Sequence, residues 1–203
     1  MKFNRPVNYK QKVLILMSTE TTEKTPLLTP VPPQGSEENV ARLYQSIQEA
    51  MGIVPTGLKL LSISPQLLEG QINMLAYYMQ HPSLSSQLLA FVRLIVAEKA
   101  TCRYCIGMNE NMLLQMGYDL DSIRNGQENP EAAPLEGKEK VLLLFTIKSV
   151  TNPHAVNAED LEQVRGAGWS DQDIFDAVNH AAYASAFDLV LNTFNVEHEN
   201  VWA

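Results

Sequence analysis

Residues 98–109 read EKATCRYCIGMN and contain both cysteines of the chain, Cys102 and Cys105. Two cysteines placed at random in a chain of this length would fall three residues apart about one time in a hundred. Residues three apart share one face of a helix, so the two thiols can meet if a helix begins here. The unpaired N–H groups and the positive end of the helix dipole then favour thiolate over thiol. This segment predicts a redox-active dithiol at a helix N-terminus.

The segments on either side of the dithiol have helical periodicity. Residues 84–99 carry apolar side chains on more than one face, which is typical of a buried central helix. Ala100 and Thr101 form a break, a second helix is predicted over 106–116, and Arg103 adds a positive charge beside the thiols. No alternating run is long enough for a strand, so we predict an all-α, multi-helix fold.

Polar caps predict where the other helices begin. Ser36 precedes a helix that Gly52 ends, Ser64 starts another, and Ser83 is expected to cap the central helix. Ser170 and Asp173 resemble a capping box, with an aspartate in place of the usual glutamate or glutamine. They precede a last helix that is predicted over about 174–194.

Residues 1–35 have no periodicity and contain Pro26, Pro30, Pro32 and Pro33. We therefore predict an N-terminal extended arm over 1–35 and one helical domain over 36–203. Met17 precedes a polar run and is a second candidate for the start residue.

Composition excludes several classes of function. The 203 residues carry a formal net charge of −8, which argues against a nucleic-acid surface. No apolar run approaches the roughly 18 residues that a membrane span needs, and no secretory signal is recognisable, so we expect a cytoplasmic protein. There is no glycine-rich phosphate loop, and we expect no cofactor.

Two other interpretations of the cysteines remain open. They could be a structural pair of buried thiols, or part of a zinc site. Zinc lacks further ligands in the sequence, because the four histidines, His81, His154, His180 and His198, show no ligand spacing. We therefore expect no metal. Of these histidines, His180 lies in the last apolar helix, where it needs a partner, either as a satisfied core residue or as part of the site.

Residues 98–109 resemble the active-site segment of the alkylhydroperoxidase D / carboxymuconolactone decarboxylase family, and in particular its peroxidase-related branch. The similarity extends over about residues 36–196, and the segments that carry it besides the dithiol are ARLY at 41–44, GIVP at 52–55, SPQLLE at 64–69 and GWSDQDI at 168–174. The resemblance implies a helical fold, homo-oligomeric assembly and peroxide-linked dithiol chemistry.

In that family the second cysteine attacks the peroxide and the first resolves the sulfenic acid into a disulfide, which by position implies Cys105 and Cys102 here. Two positions depart from the family pattern. The family's better-studied members carry a histidine where this chain has Asn109, and a glutamate where it has Ala90. Both belong to the proton relay that activates the thiol, and neither Asn109 nor Ala90 moves a proton at neutral pH.

Glu98 is the candidate replacement, because it precedes Cys102 by one helical turn. It could act as general base with Asn109 as a neutral hydrogen-bond partner, or be a solvated carboxylate at a helix end. Tyr104, between the cysteines, is expected to pack, with donation to the site as the other role.

The sequence thus predicts an enzyme, a thiol-dependent oxidoreductase that reduces a peroxide or other small oxidant through a Cys102/Cys105 dithiol–disulfide cycle. A second dithiol would be its electron donor. The alternative is a non-enzymatic or weakly active, oligomeric redox-sensing or binding protein of the same fold. Lactone decarboxylation is the least favoured reading, because the family's decarboxylases lack this dithiol.

Overall fold

The structure is a computed structural model that describes residues 25–196. Residues 1–24 of the expected arm, including the alternative start at Met17, and residues 197–203 lie outside the described part. The helices of the described part are α1 Glu37–Met51, α2 Thr56–Leu60, α3 Pro65–Met79, α4 Ser86–Lys99, α5 Arg103–Gln115, α6 Leu120–Glu128, α7 Gly137–Thr151, α8 Ala158–Gly166 and α9 Asp171–Thr193. Three short 3₁₀ turns join them, and residues 25–196 contain no strand, which confirms the all-α prediction.

Helix boundaries follow local capping chemistry. Gly52 ends α1 in the left-handed conformation, as its position predicts. The prediction that Ser83 caps the central helix is wrong. The capping residue is Ser85, whose hydroxyl accepts the Leu88 N–H, and the helix begins at Ser86. The last helix begins at Asp171, before the predicted start, because Ser170 and Asp173 form a reciprocal capping box.

Helix α4 is the centre of the fold. Its side chains at Leu88, Ala90, Phe91 and Leu94 are fully buried, and together they cover more than one face of the helix. Helices α5, α7 and α9 pack around it and enclose the main apolar core. A helix buried on several sides matches the periodicity of residues 84–99. Because α4 leads directly into the cysteine segment, the core fixes one end of that segment.

A tight turn joins α4 to α5. Thr101 adopts a left-handed φ of 51°, a conformation that costs a β-branched residue about 1–2 kcal/mol. The Cys102 N–H donates to the Ala97 carbonyl at 2.9 Å, and Asn192 of α9 donates to the Ala100 carbonyl at 2.8 Å. These bonds hold the strained turn in place and so fix where Cys102 lies.

None of the helices between residues 25 and 196 is both long enough and apolar enough to cross a membrane.

Replacing Gly126 by alanine is expected to destabilise the fold by about 1–3 kcal/mol, because a Cβ there would lie 2.7 Å from the Ala133 Cα. Gly70, exposed within α3, is the matched control, because a Cβ there meets nothing within 4 Å. Gly70→Ala should stabilise by about 0.5–1 kcal/mol. Denaturant unfolding of the two variants measures both effects, and equal stabilities would contradict the expectation.

Candidate redox site

The dithiol lies at the start of α5, as the sequence predicts. Cys102 is the residue that caps the helix, and Cys105 lies in its first turn. Both are free thiols, and their residues are only 1% and 4% exposed. The first turn of α5 contains no acidic residue, so the positive end of its dipole acts on the sulfur atoms unopposed by its own helix. This placement favours thiolate formation.

Asp188 of α9 provides a carboxylate beside both thiols. One of its oxygens and the two Sγ atoms all lie within 4.8 Å of one another. Asp188 is 2% exposed, and its Oδ2 atom has no hydrogen-bond partner among residues 25–196. Burial raises the pKa of the carboxyl to about 6, although hydrogen bonding with Cys105 and Cys102 acts in the opposite direction. The group is therefore poised near neutral pH to exchange a proton with a thiol.

The two thiols are unequal in the reduced protein. A hydrogen bond from the Cys105 side chain lowers the pKa of the Cys102 thiol, against the opposing effects of burial and the Asp188 carboxylate. The same hydrogen bond, together with burial, raises the pKa of Cys105. The hydrogen bond between the two thiols thus acts on their pKa values in opposite directions, and it favours the thiolate at Cys102 over the thiolate at Cys105.

The walls of the site are apolar and come from four helices. Leu60 of α2, Ala97 of α4, Tyr104 of α5 and Leu191 of α9 form one buried cluster with the two cysteines. Such surroundings strengthen electrostatic interactions, because little water screens them. They also explain why the Asp188 carboxyl favours its neutral form more than an exposed acid does.

Glu98, the base expected from the sequence, points elsewhere. Its Oε2 accepts a 2.6 Å hydrogen bond from Nε2 of Gln127 in α6. Among the described residues, the carboxylate that lies close to both thiols belongs to Asp188 and not to Glu98. The helix that contains Glu98 does not continue to Cys102, because α4 ends at Lys99 and the turn at Thr101 changes the direction of the chain.

Arg93, in the middle of α4, places a positive charge near the site. Its Nε donates to Asn109 Oδ1 at 2.8 Å, and Nδ2 of Asn109 donates to the Cys105 carbonyl at 2.8 Å. Asn109 therefore forms hydrogen bonds with Arg93 and with the Cys105 backbone, and not with Glu98, the partner that the sequence suggested. Burial lowers the pKa of Arg93 to about 10, and the Coulomb interaction with Cys105 raises it. The guanidinium stays charged at neutral pH and favours a thiolate nearby.

His180 holds Arg93 in place. Nη1 of Arg93 lies 3.2 Å from Nε2 of His180, and hydrogen bonding to the Leu89 backbone involves the same ring. Burial, together with the Arg93 charge, lowers the pKa of His180 to about 3. The imidazole is therefore neutral at physiological pH and accepts from the guanidinium. His180 is a satisfied core histidine that orients a charged neighbour of the dithiol.

Acid should destabilise the protein through His180. The unfolded chain binds a proton at the ordinary value of 6.5, whereas the folded chain binds it at a pKa of about 3. Stability is therefore lost as pH falls below 6.5, by up to about 1.4 kcal/mol per pH unit. His180→Gln should lose about 2 kcal/mol less than the wild type between pH 7 and pH 5 in denaturant unfolding. An equal loss in both proteins would contradict this assignment.

Tyr104 and Ala90 have structural positions. The Tyr104 hydroxyl accepts the Gly57 N–H at 3.1 Å, and its ring lies against the same glycine, so it joins α5 to α2. This supports the packing role. Ala90 is fully buried within α4 and belongs to the main core.

Sequence reasoning did not identify Asp188 and Arg93. Each is a single charged residue within an apolar run, Arg93 in residues 88–97 and Asp188 in residues 184–191. A single charged residue in a buried helix needs a polar or charged partner, and this need was the sequence signal that pointed to both residues. Which partner each finds depends on how α4, α5 and α9 pack together.

Comparisons with known proteins extend this picture. No family profile matches the sequence, and no curated protein matches it by sequence. Among solved structures, an uncharacterized peroxidase-related protein from Silicibacter sp. TM1040 superimposes with a TM-score of 0.78 at 22% identity, covering 90% of this chain and 97% of that one. An uncharacterized peroxidase-related protein from Ralstonia eutropha JMP134, described as an alkylhydroperoxidase AhpD core, gives 0.74 at 18% identity, with 87% and 92% covered.

A third similar structure is the debrominase Bmp8, with a TM-score of 0.69 at 14% identity over 87% of this chain and 94% of that one. At these identities the likeness concerns the fold. The same architecture serves more than one chemistry, so function has to be argued from the site. The chain has the helical fold of the alkylhydroperoxidase AhpD core and of the peroxidase-related proteins.

Proposed function

We propose that the protein is a thiol-dependent oxidoreductase that reduces hydroperoxides through a Cys102/Cys105 dithiol–disulfide cycle. One observation carries this proposal: two free, buried thiols at the start of a helix lie within 4.8 Å of each other and of the Asp188 carboxylate. The arrangement combines a nucleophile, a resolving thiol and a proton acceptor in one apolar site.

The first half of the cycle forms a sulfenic acid. Asp188 accepts the proton of one thiol, and the thiolate attacks the terminal oxygen of the hydroperoxide. The O–O bond breaks as the S–O bond forms, so sulfur is oxidised and the peroxide reduced. Asp188 returns its proton to the alkoxide, which leaves as an alcohol.

The second half forms the disulfide. Asp188 accepts the proton of the remaining thiol, which attacks the sulfenic sulfur and expels its oxygen. That oxygen takes the proton from Asp188 together with its own hydrogen and leaves as water. A dithiol donor then reduces the Cys102–Cys105 disulfide by exchange and becomes a disulfide itself.

The order of the two cysteines is open to direct measurement. The family resemblance assigns the attack to Cys105, whereas the hydrogen bond in the reduced pair favours Cys102 as the first thiolate. Each single serine variant keeps one thiol, and a sulfenic-acid trapping reagent labels only the thiol that attacks peroxide. Labelling of Cys105→Ser supports Cys102 as attacker, and labelling of Cys102→Ser supports Cys105.

Steady-state peroxide consumption with a small dithiol as reductant tests the function. The wild type should turn over, and the variant that lacks the attacking cysteine should lose turnover with the dithiol donor. Turnover that survives in both variants at the wild-type rate would overturn the proposal.

A redox-sensing protein is the second candidate, and the near-complete burial of both cysteines favours it. This function predicts slow peroxide reaction but different melting or assembly of the reduced and oxidised forms. Identical behaviour of the two forms would exclude it.

Homo-oligomeric assembly and a cytoplasmic location remain part of the proposal. Large apolar side chains that stay exposed are compatible with contacts between copies, and they are Leu67, Met79, Phe175 and Leu189.

A further inference from the structure

The Cys102, Cys105 and Asp188 side chains form a donor set as well as a redox site. Two sulfur atoms and a carboxylate oxygen lie within 4.8 Å of one another, in residues that are 1%, 4% and 2% exposed. Oδ2 of Asp188 is buried and has no hydrogen-bond partner in the described chain. A buried carboxylate oxygen without a partner is costly, and a bound cation would satisfy it.

The chemistry of the donors selects the ion. Thiolates bind soft or borderline cations and disfavour Mg²⁺ and Ca²⁺. Around Zn²⁺, with Zn–S near 2.3 Å and Zn–O near 2.0–2.2 Å, tetrahedral ligand atoms lie about 3.4–3.8 Å apart. The three donor atoms of the observed group all lie within 4.8 Å of one another, which is compatible with this spacing. Two thiolates and one carboxylate leave a fourth position for water or another ligand.

Positive charge near the three ligands also balances the charge of the complex they would form with Zn²⁺. Two thiolates and a carboxylate exceed the charge of Zn²⁺ by one negative unit. The guanidinium of Arg93 contacts Asn109, His180 and Met112, which are neutral groups, and no carboxylate within the described residues pairs with it. Its positive charge and the N-terminus of α5 both offset the excess.

We propose that the reduced protein binds one Zn²⁺ through Cys102, Cys105 and Asp188. Binding releases the two thiol protons and forms two Zn–S bonds and one Zn–O bond. Two-electron oxidation of the pair by a hydroperoxide forms the S–S bond, breaks the O–O bond and consumes two protons to give an alcohol and water. Zn²⁺ then leaves, because two of its three donors are gone. Binding itself is independent of the proposed peroxidase function.

Co²⁺ is a spectroscopic probe for this site. The reduced full-length protein, titrated anaerobically with Co²⁺, should bind one equivalent, show thiolate-to-cobalt charge-transfer and tetrahedral absorption bands, and lose both when Zn²⁺ is added. Asp188→Asn should weaken binding by at least about 100-fold, since it loses a ligand. Asp171→Asn, on the exposed first turn of the same helix, is the matched control and should bind like the wild type.

Circular dichroism verifies that Asp188→Asn is folded, and the disulfide form of the wild type gives an independent second measurement. That form should bind no Co²⁺. The proposal is overturned if the reduced wild type shows no stoichiometric binding, if folded Asp188→Asn binds as tightly as the wild type, or if the disulfide form still binds.

Discussion

Asp188→Asn is expected to slow disulfide formation by hydroperoxide about 100-fold or more, because the variant removes the group that accepts and returns each proton in the proposed cycle. Asparagine has nearly the same shape and removes a buried charge, so the fold should be retained. The measurement is the rate of thiol loss after mixing reduced protein with excess hydroperoxide, with circular dichroism as the control for folding.

The sign of the effect separates two roles of the carboxylate. Its negative charge raises the pKa of both thiols, so a purely electrostatic role predicts that Asp188→Asn reacts faster. Glu98→Gln tests the rival base from the sequence, and we expect a rate near that of the wild type because Glu98 bonds to Gln127. A fast Asp188→Asn variant or a slow Glu98→Gln variant would contradict the assignment of the base.

Arg93→Met is expected to lower the free energy of unfolding by about 2–4 kcal/mol. The substitution leaves the Oδ1 atom of Asn109 and the Nε2 atom of His180 without their donor, and each unsatisfied buried group costs about 1–3 kcal/mol. Loss of the positive charge should also slow alkylation of the native dithiol by about tenfold, which corresponds to roughly one unit of pKa.

Arg103→Met is the matched control for this variant. Arg103 lies between the cysteines in sequence but is exposed, so solvent screens its charge. Arg93→Met should be less stable than Arg103→Met in denaturant unfolding. It should also react more slowly with a neutral alkylating reagent. If Arg93→Met is as stable and as reactive as Arg103→Met, Arg93 has neither of the roles inferred for it.

Much of the architecture could be predicted from local signals. The buried central helix follows from apolar residues on several faces over 84–99, and α9 follows from the capping box at Ser170. The dithiol at a helix start follows from the spacing of Cys102 and Cys105. Each of these features depends on residues within a few turns of one another, so short-range periodicity and capping are sufficient.

The complete site depends on contacts between distant segments. Asp188 reaches the thiols because α9 packs against α4, and the pairing of Asn109 with Arg93 depends on how α5 crosses α4. Glu98 was expected at the site because helical spacing was extended through residues 98–102. The left-handed turn at Thr101, at the break predicted between the two helices, ends that spacing, so Glu98 and Cys102 do not share a helix face.

The most direct test of the central claim is a single turnover of the reduced protein with one equivalent of hydroperoxide, followed by a count of free thiols and an intact mass. We predict that both thiols disappear together, that the mass falls by about 2 Da, and that peptide mapping finds a Cys102–Cys105 disulfide. Two thiols that remain free while the hydroperoxide persists would contradict the account.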